Sequence, residues 1–496
     1  MRRSPRLSEA ERKLWDAFPT GRMVTLAPFQ ANADRTAGAN APVDGESWGP
    51  ERTVRAEVIA KLLLGARDAG TGTVPAVRLT GARITGPLAI LGGTVDYELI
   101  LSRCHLDEPV RLTGATTRTI RLTDCRLPGF SGGGMRVAGH LSLSGSYVPG
   151  TVRVARAQFE SGLWLAGTKI VAEDGDPAFY ADAMVVDSVT HMGNADFSGA
   201  VRLVGARLNG GFKLDGAKLR NPGEEALVAD GLVVEDAMSC TGDFLSLGCL
   251  RLRGSRINGR FSFRGVIRSP DTSYALHASH IEAREFYLKP SEPIDGVVTL
   301  AHSTVGTLHD DVATWPDKLR LNGLTYERLR GHGFARRIEW VSRDPEGFRT
   351  QPYEQLADWY LRGGNDALAR RTQLAKMRGL RGISGPRTRF WGRLLDATVG
   401  YGYRPWLAAV WFGALLLLGT VVFGLNPPRA VKPGENPVFD SFAYTFDLLL
   451  PLSTFGQRDQ FDPAGWTQGL AYALIVSGWI LATALIAGAT RVLRPS

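Results

Sequence analysis

No two of the four cysteines (Cys104, Cys125, Cys240 and Cys249) stand at a Cys-x-x-Cys or other metal-ligand spacing in this 496-residue chain. Thiol-held zinc has no residues to support it, and free thiols are ordinary in a reducing cytoplasm. No Gly-x-Gly-x-x-Gly follows a strand and opens a helix, and no Walker phosphate loop is present. The N-terminal MRRSPRLSEAERKLWDAF is basic but lacks an apolar core, so it does not read as a secretory signal. The stretch 73–305 lacks an excess of either charge, with 24 basic and 24 acidic residues. The net charge of +9 and the pI near 9.5 therefore arise elsewhere. Residues 370–404 hold nine basic residues against the single acid Asp396. Beside apolar segments, such a block suits anionic lipid headgroups better than nucleic acid.

Two runs lack charge altogether. WLAAVWFGALLLLGTVVFGL (406–425) and TQGLAYALIVSGWILATALIAGAT (467–490) each match the length of about 20 apolar residues that crosses a bilayer as helix. Neither has the polar face of a globular surface helix. The expectation is a two-helix transmembrane hairpin within 405–496. Arg387, Arg389, Arg393 and Arg404 precede the first run, and Arg491 and Arg494 follow the second. The positive-inside rule then places both termini in the cytoplasm of a cell-membrane protein. The four arginines before the first span form the membrane-surface basic set.

What fills the middle is a repeat. VRLTGARITGPLAILGG begins an eleven-residue unit of apolar, x, apolar, x, x, small, x, apolar, with starts at 77, 88, 99, 110, 120, 141, 152, 163, 201, 212, 250 and 261; the 110 unit is one residue short, and the last fails at its final apolar slot, Arg268. Period-two alternation and a glycine-rich corner describe short strands joined by turns. A unit of this kind cannot bury its own apolar edge and must stack on copies of itself. Two units give a coil of about 22 residues, and the stack gives a rod about 50 Å long at the usual strand spacing. The fold class is mainly β, a parallel β-solenoid with helical caps and the membrane hairpin. The glycines of TGARITG are corners of this rod, and Cys104 and His105 point to opposite sides of a strand.

A slower period lies on top. DPAFYADAMVV, EEALVADGLVV and SYALHASHIEA recur 48–49 residues apart, and Glu173, Asp174, Asp176, Glu224 and Glu225 gather there. Basic residues occupy the outward slot between the first two apolar positions: Arg78, Arg111, Arg121, Arg153, Arg202, Lys213 and Arg251. These seven are the candidate interaction face, for an unidentified protein partner. The band Asp182, Asp187, Asp230, Glu235 and Asp236 is a weaker candidate for a carbohydrate groove. His277, His280, His302, His309, Asp310 and Asp311 are a weaker candidate for a metal site. No cofactor is expected.

Ser8-Glu9-Ala10-Glu11 is a capping box that opens a short helix. With a second helix near Glu51–Asp68, it makes an N-terminal cap over 1–72, ahead of the solenoid at 73–305. Residues 306–380 read as a helical adaptor containing the hairpin QPYEQLADWYLRGGNDALARRTQLAKMRGLR. Residues 381–404 read as a basic interfacial linker. Between the apolar runs, FDSFAYTFDLLLPLSTFGQRDQFDP holds a stretch too short to span, which suits a re-entrant element. Ser453, Thr454, Phe455, Gly456, Arg458 and Asp459 form a candidate pore-like loop.

Three resemblances follow from these residues. Ala195-Asp196-Phe197-Ser198-Gly199 and the small-x-large step resemble pentapeptide-repeat proteins, although five- and six-residue steps alternate here. Span, short helix, Ser-Thr-Phe-Gly-Gln-Arg-Asp and span resemble a two-pass potassium channel, with Arg458 where the second filter glycine belongs. SEAERKLWDAF, VRLTGARITGPL, GYGYRPW, FDLLLPLSTFGQRDQFDP and GWILATALIAGATR together resemble a bacterial family labelled membrane-associated oxidoreductase. That label implies redox activity but assigns no residue. The sequence is best read as an interaction scaffold or recognition module at the inner membrane face, with a homo-oligomer a candidate. The alternatives are an oxidoreductase, as the label implies, and a degenerate channel-like protein regulated by the solenoid.

Overall fold

The computed structural model describes residues 7–27, 42–269, 273–383, 385, 406–432, 434, 437–450 and 455–493. The chain divides into two units, Met1–Gln355 and Leu356–Ser496.

The first unit is the solenoid, with about 11 turns of roughly 22 residues. Each turn contributes to four parallel ladders, so the unequal steps of the repeat still produce a four-sided coil. The first ladder runs from Val77 through Leu99, Ile120, Leu141, Leu163, Thr190, Phe212, Met238, Phe261, Phe286 and Leu308 to Leu329. The second stacks Val148, Ile170, Phe197 and Leu219. The third stacks Val110, Phe130, Val152, Phe179, Val201, Leu227 and Leu250. The fourth stacks Val137, Phe159, Val186, Leu208 and Val234. These inward residues are buried and form one continuous core, the burial that holds a solenoid together.

The corner before each small inward residue takes a left-handed conformation. Glycine supplies it at Gly81 (φ +70°) and Gly205 (φ +65°), and Arg103, Asp124, Arg156 and Asn194 adopt it at equivalent corners. Behind the corner, the small slot performs a second task. Ser146 Oγ donates to the Leu122 carbonyl at 2.7 Å, and Thr168 Oγ1 donates to the Leu143 carbonyl at 2.9 Å, each reaching the coil before. Cys125 Sγ donates in the same way to the Leu101 carbonyl at 3.5 Å. The cysteines of this ladder thus replace hydroxyls in a structural chain. Burial pushes the Cys249 thiol up to about 12, so it stays protonated at neutral pH.

The ends are closed by non-repetitive chain. Ser8 and Glu11 form the expected capping box on the helix Glu9–Ala17. Glu11 also holds Arg55, the residue before the helix Ala56–Leu63, at 2.6 Å. Val24–Thr25 and Thr53–Arg55 pair with the first repeat strands and add a rung ahead of it. The 3₁₀ segment Pro42–Ser47 packs over His105, where a Cβ on Gly45 would strike the ring. His105 points outward from its coil yet is fully buried. At the far end, the ladders continue past residue 305. Thr304–Asp310 and Thr325–Arg330 pair in register, so residues 306–330 belong to the rod and not to a helical adaptor. An intervening 3₁₀ turn at Val312–Thr314 had masked the repeat. The helices Phe334–Val341, Gln351–Arg362 and Asp366–Ile383 follow.

In the second unit, Trp406–Leu425 is the one helix found long and apolar enough to cross a membrane among the described residues. It packs with the short helix Ser441–Leu449 and the helix Trp466–Leu493 around Phe423, Tyr444, Leu448, Leu449 and Leu474. Glycines allow the close approach. A Cβ on Gly419 would collide with Thr445, and one on Gly478 would collide with the Leu449 carbonyl. Arg387, Arg389, Arg393 and Arg404 lie outside the described residues, as do Ser453 and Thr454.

Candidate interaction cleft on the solenoid

The seven basic residues do not form one face. Arg78, Arg121 and Lys213 lie on the first ladder. Arg111, Arg153, Arg202 and Arg251 lie on the third. The eleven-residue unit is half a coil, so successive units place the same slot on non-adjacent sides. The third ladder carries the continuous outward row Arg111, Ser131, Arg153, Tyr180, Arg202, Val228 and Arg251.

Along one edge of this row the corner between second and third ladders alternates in length. Three residues separate Phe197 from Val201, whereas longer loops separate Ile170 from Phe179 and Leu219 from Leu227. Each long loop folds back onto a glycine in the following coil. A Cβ on Gly199 (φ +112°) would stand 3.0 Å from the Asp176 carbonyl. A Cβ on Gly248 (φ +128°) would strike the Asn221 and Glu224 carbonyls, and one on Gly296 (φ +116°) would stand 3.0 Å from Ala275. This pairing of loop and supporting glycine is the physical origin of the 48–49-residue period.

Between the loops 171–177 and 220–226 lies a cleft of about 840 Å³ over the short corner Ser198–Gly199–Ala200. That volume is within the usual range of ligand sites, about 300–1,000 Å³. Tyr180 and Arg202 lie on its floor, with the Arg202 guanidinium 5.7 Å from the Tyr180 ring centroid. Ion pairs across neighbouring coils fix its arginines: Arg153 with Asp176 at 3.1 Å, Arg202 with Asp182 at 2.8 Å and Arg220 with Asp196 at 2.8 Å. Beyond the cleft, Arg251 holds Asp230 at 2.5 Å and Glu225 at 3.4 Å. Sequence reasoning missed Tyr180 and Arg220, since only the closing of the coil brings them beside Arg202.

The other candidates disperse. Asp182 and Asp230 bind arginines beside the third ladder, while Asp187 and Glu235 accept from Asn209 and Asn258 past the fourth. His277 stacks on Tyr274, His280 on His302 and His309 on Tyr287. Among the described residues no group of three or more His, Cys, Asp or Glu side chains has the geometry to hold a metal ion.

In the second unit, Gly456 (φ +70°) caps the single turn Gln457–Gln460, which contains Arg458 and Asp459. The buried Asp447 accepts from the backbone N–H groups of Phe455 and Gln457, both at 2.8 Å. The sequence signal for this anchor is an acid inside the apolar run FDLLLPL. Compared with known proteins, the chain matches no family model, no curated protein and no solved structure.

Proposed function

We propose that this chain is a recognition scaffold whose β-solenoid presents the third-ladder cleft to a protein partner at the inner face of the cell membrane. The observation that carries the reading is the cleft itself, a concave surface with a floor of cross-coil ion pairs and walls built by the repeat. Rigid repeats that display concave surfaces serve recognition. In this reading Trp406–Leu425 and Trp466–Leu493 form the membrane hairpin. Arg387, Arg389, Arg393 and Arg404 meet anionic headgroups, and both termini stay cytoplasmic. A photo-crosslinking residue at Arg202 in cells tests the scaffold reading against the same residue at Arg121, on another face. Adducts from position 202 and not from 121 support it. Equal or no capture from both sinks it.

A second reading has its own observation. The helix Ser441–Leu449 lies against both long helices, and its Asp447 accepts from the backbone N–H groups of Phe455 and Gln457. That arrangement supports a channel-like, oligomerising membrane domain. Its arginine in place of the filter glycine argues for an anchor over a cation pathway, because a ring of arginines repels cations. Liposome flux measurements with the purified full chain separate the two. The oxidoreductase label gains no residue from the cleft. A stoichiometric flavin or nicotinamide absorbance in the purified full chain would favour that label over the scaffold.

A further inference from the structure

Cations gather on the outer side of the first ladder where the rod ends. In register, Arg260 lies beside Glu285, Thr307 and Arg328 on successive coils, and Ser262 lies beside Tyr287, His309 and Arg330. Arg264 and Lys289 follow on adjacent coils, where the Lys289 N–H donates to the Phe263 carbonyl. The alternate residues Phe261, Phe263, Phe286, Leu308 and Leu329 are buried, so the pleat turns the charged ones outward. The set covers three strand spacings, about 15 Å.

Most of this charge is uncompensated. Arg260 is held by Glu285 at 2.9 Å. Arg264, Lys289, Arg328 and Arg330 have no carboxylate partner among the described residues. On other sides of the rod Arg202, Arg220, Arg251 and Arg268 each hold one. Asp311 is engaged at the turn Val312–Thr314, where it accepts from the Ala313 N–H. Arg264, Arg328 and Arg330 are exposed, and Lys289 is half-buried. Their field reaches His309, whose imidazole is held below its ordinary pKa first by burial and then by Lys289 and Arg330. That ring stacks on Tyr287 at 3.9 Å, and the Arg260 guanidinium stands 5.0 Å from the Tyr287 centroid.

Arginines that converge on a point suit a single anion. Here the in-register ladder spreads them along a sheet face, which suits a surface of many anions. These are also the last rungs of the rod before the apolar helix Trp406–Leu425. We propose that this side of the first ladder rests on the anionic lipid headgroups of the cytoplasmic leaflet. Arg264, Lys289, Arg328 and Arg330 make the contact, and Tyr287 sits at headgroup level. The inference rests on the membrane reading above and adds to it a lipid-binding surface on the rod itself.

The test uses the full chain in nanodiscs of phosphatidylcholine, with or without phosphatidylserine, and a nitroxide quencher on the lipid headgroups. The native cysteines Cys104, Cys125, Cys240 and Cys249 are buried. A fluorescent dye can therefore be placed on Ser262→Cys in the patch, or on Lys318→Cys on the third ladder of the same end. Quenching at position 262 is expected to rise several-fold with phosphatidylserine and to fall again in high salt, while position 318 stays unmoved. Arg264→Gln, Lys289→Gln and Arg328→Gln together should weaken the contact by about fivefold for each cation removed. The control Arg118→Gln, Arg136→Gln and Arg207→Gln, exposed cations on or beside the fourth ladder, should leave it unchanged. Equal weakening in both triple variants would mean diffuse charge and overturns the site. Quenching that ignores phosphatidylserine while the chain stays in the nanodisc overturns this face and leaves the membrane hairpin standing. Loss of the chain from nanodiscs of both compositions sinks the hairpin and this inference together. A dye response to soluble poly-glutamate or duplex DNA, with none to phosphatidylserine, overturns the lipid occupant.

Discussion

The guanidinium of Arg337 and the carboxylate of Asp310 face each other in the closed end of the rod, bonded twice, at 2.6 and 2.8 Å. Asp310 ends a strand of the first ladder, and Arg337 belongs to the helix Phe334–Val341 laid against it. Arg337 is fully buried, the Trp315 indole N–H also donates to Asp310 at 2.9 Å, and the rings of Trp315 and Trp340 flank the guanidinium. The pair fastens the C-terminal cap to the edge that would otherwise be open to aggregation.

Removing one partner leaves the other charge buried and unpaired. Arg337→Ala is expected to destabilise the solenoid by about 3–5 kcal/mol. Urea unfolding followed by tryptophan fluorescence, with Trp315 and Trp340 as local reporters, checks the value. A loss below about 1 kcal/mol would place this pair among ordinary surface bridges.

Gly248→Ala tests the loop-and-glycine arrangement. The substitution adds a Cβ at φ +128° against the Asn221 and Glu224 carbonyls. A cost on the order of 1–3 kcal/mol follows from the strained backbone. Hydrogen exchange should rise in 221–226 before it rises in the flanking strands. Uniform acceleration through the whole rod would contradict this account.

Glu11 gives the solenoid an acid limit at its N-terminal end. Burial alone would raise its pKa, but the Arg55 side chain and the backbone N–H groups of Ser8 and Arg55 hold it below its ordinary value. A depressed carboxyl contributes stability above the unfolded pKa, about 4.3, and loses it as pH falls through the folded value. Glu11→Gln should therefore lower the melting temperature at pH 7 and converge on the parent protein in acid. Parallel melting curves from pH 7 down to acid would refute the assignment.

Asp447→Ala removes the acceptor for two backbone amides in a buried site. The expected cost is about 1–3 kcal/mol for each amide left without an acceptor or forced to find another. In a Gly456→Cys background, maleimide labelling of that cysteine should accelerate when Asp447 is replaced. Unchanged labelling would show that the backbone at Gly456 is held by contacts other than Asp447.

Much of the rod was legible because burial imposes it. The apolar slots of the 77, 99, 120 and 141 units are the first-ladder rungs, and the coil length follows from their spacing. The capping box Ser8–Glu11 is a local hydrogen-bond pattern and reads directly. The split of Arg78 from Arg153 was not legible, since an eleven-residue period is silent on how many sides close a coil. Nor was the covering of His105, which depends on Pro42–Ser47 returning over a strand about sixty residues later in the chain. The acids of the two insertions were visible as composition, but their facing across Gly199 needs the coil between them. Leu319 and Leu329 were missed as rungs because Pro316 and the turn before it interrupt the alternation.

The alternation of long loop and supporting glycine sets a unit of inheritance for the rod. One coil can be gained or lost without disturbing the ladders, but it would place a loop over a corner with no glycine to admit it. Two coils, the 49-residue step from Gly199 to Gly248, are the smallest increment that leaves both in phase. An added pair of coils of this kind would keep loop and glycine in phase and carry the alternation of long and short corners further along the rod.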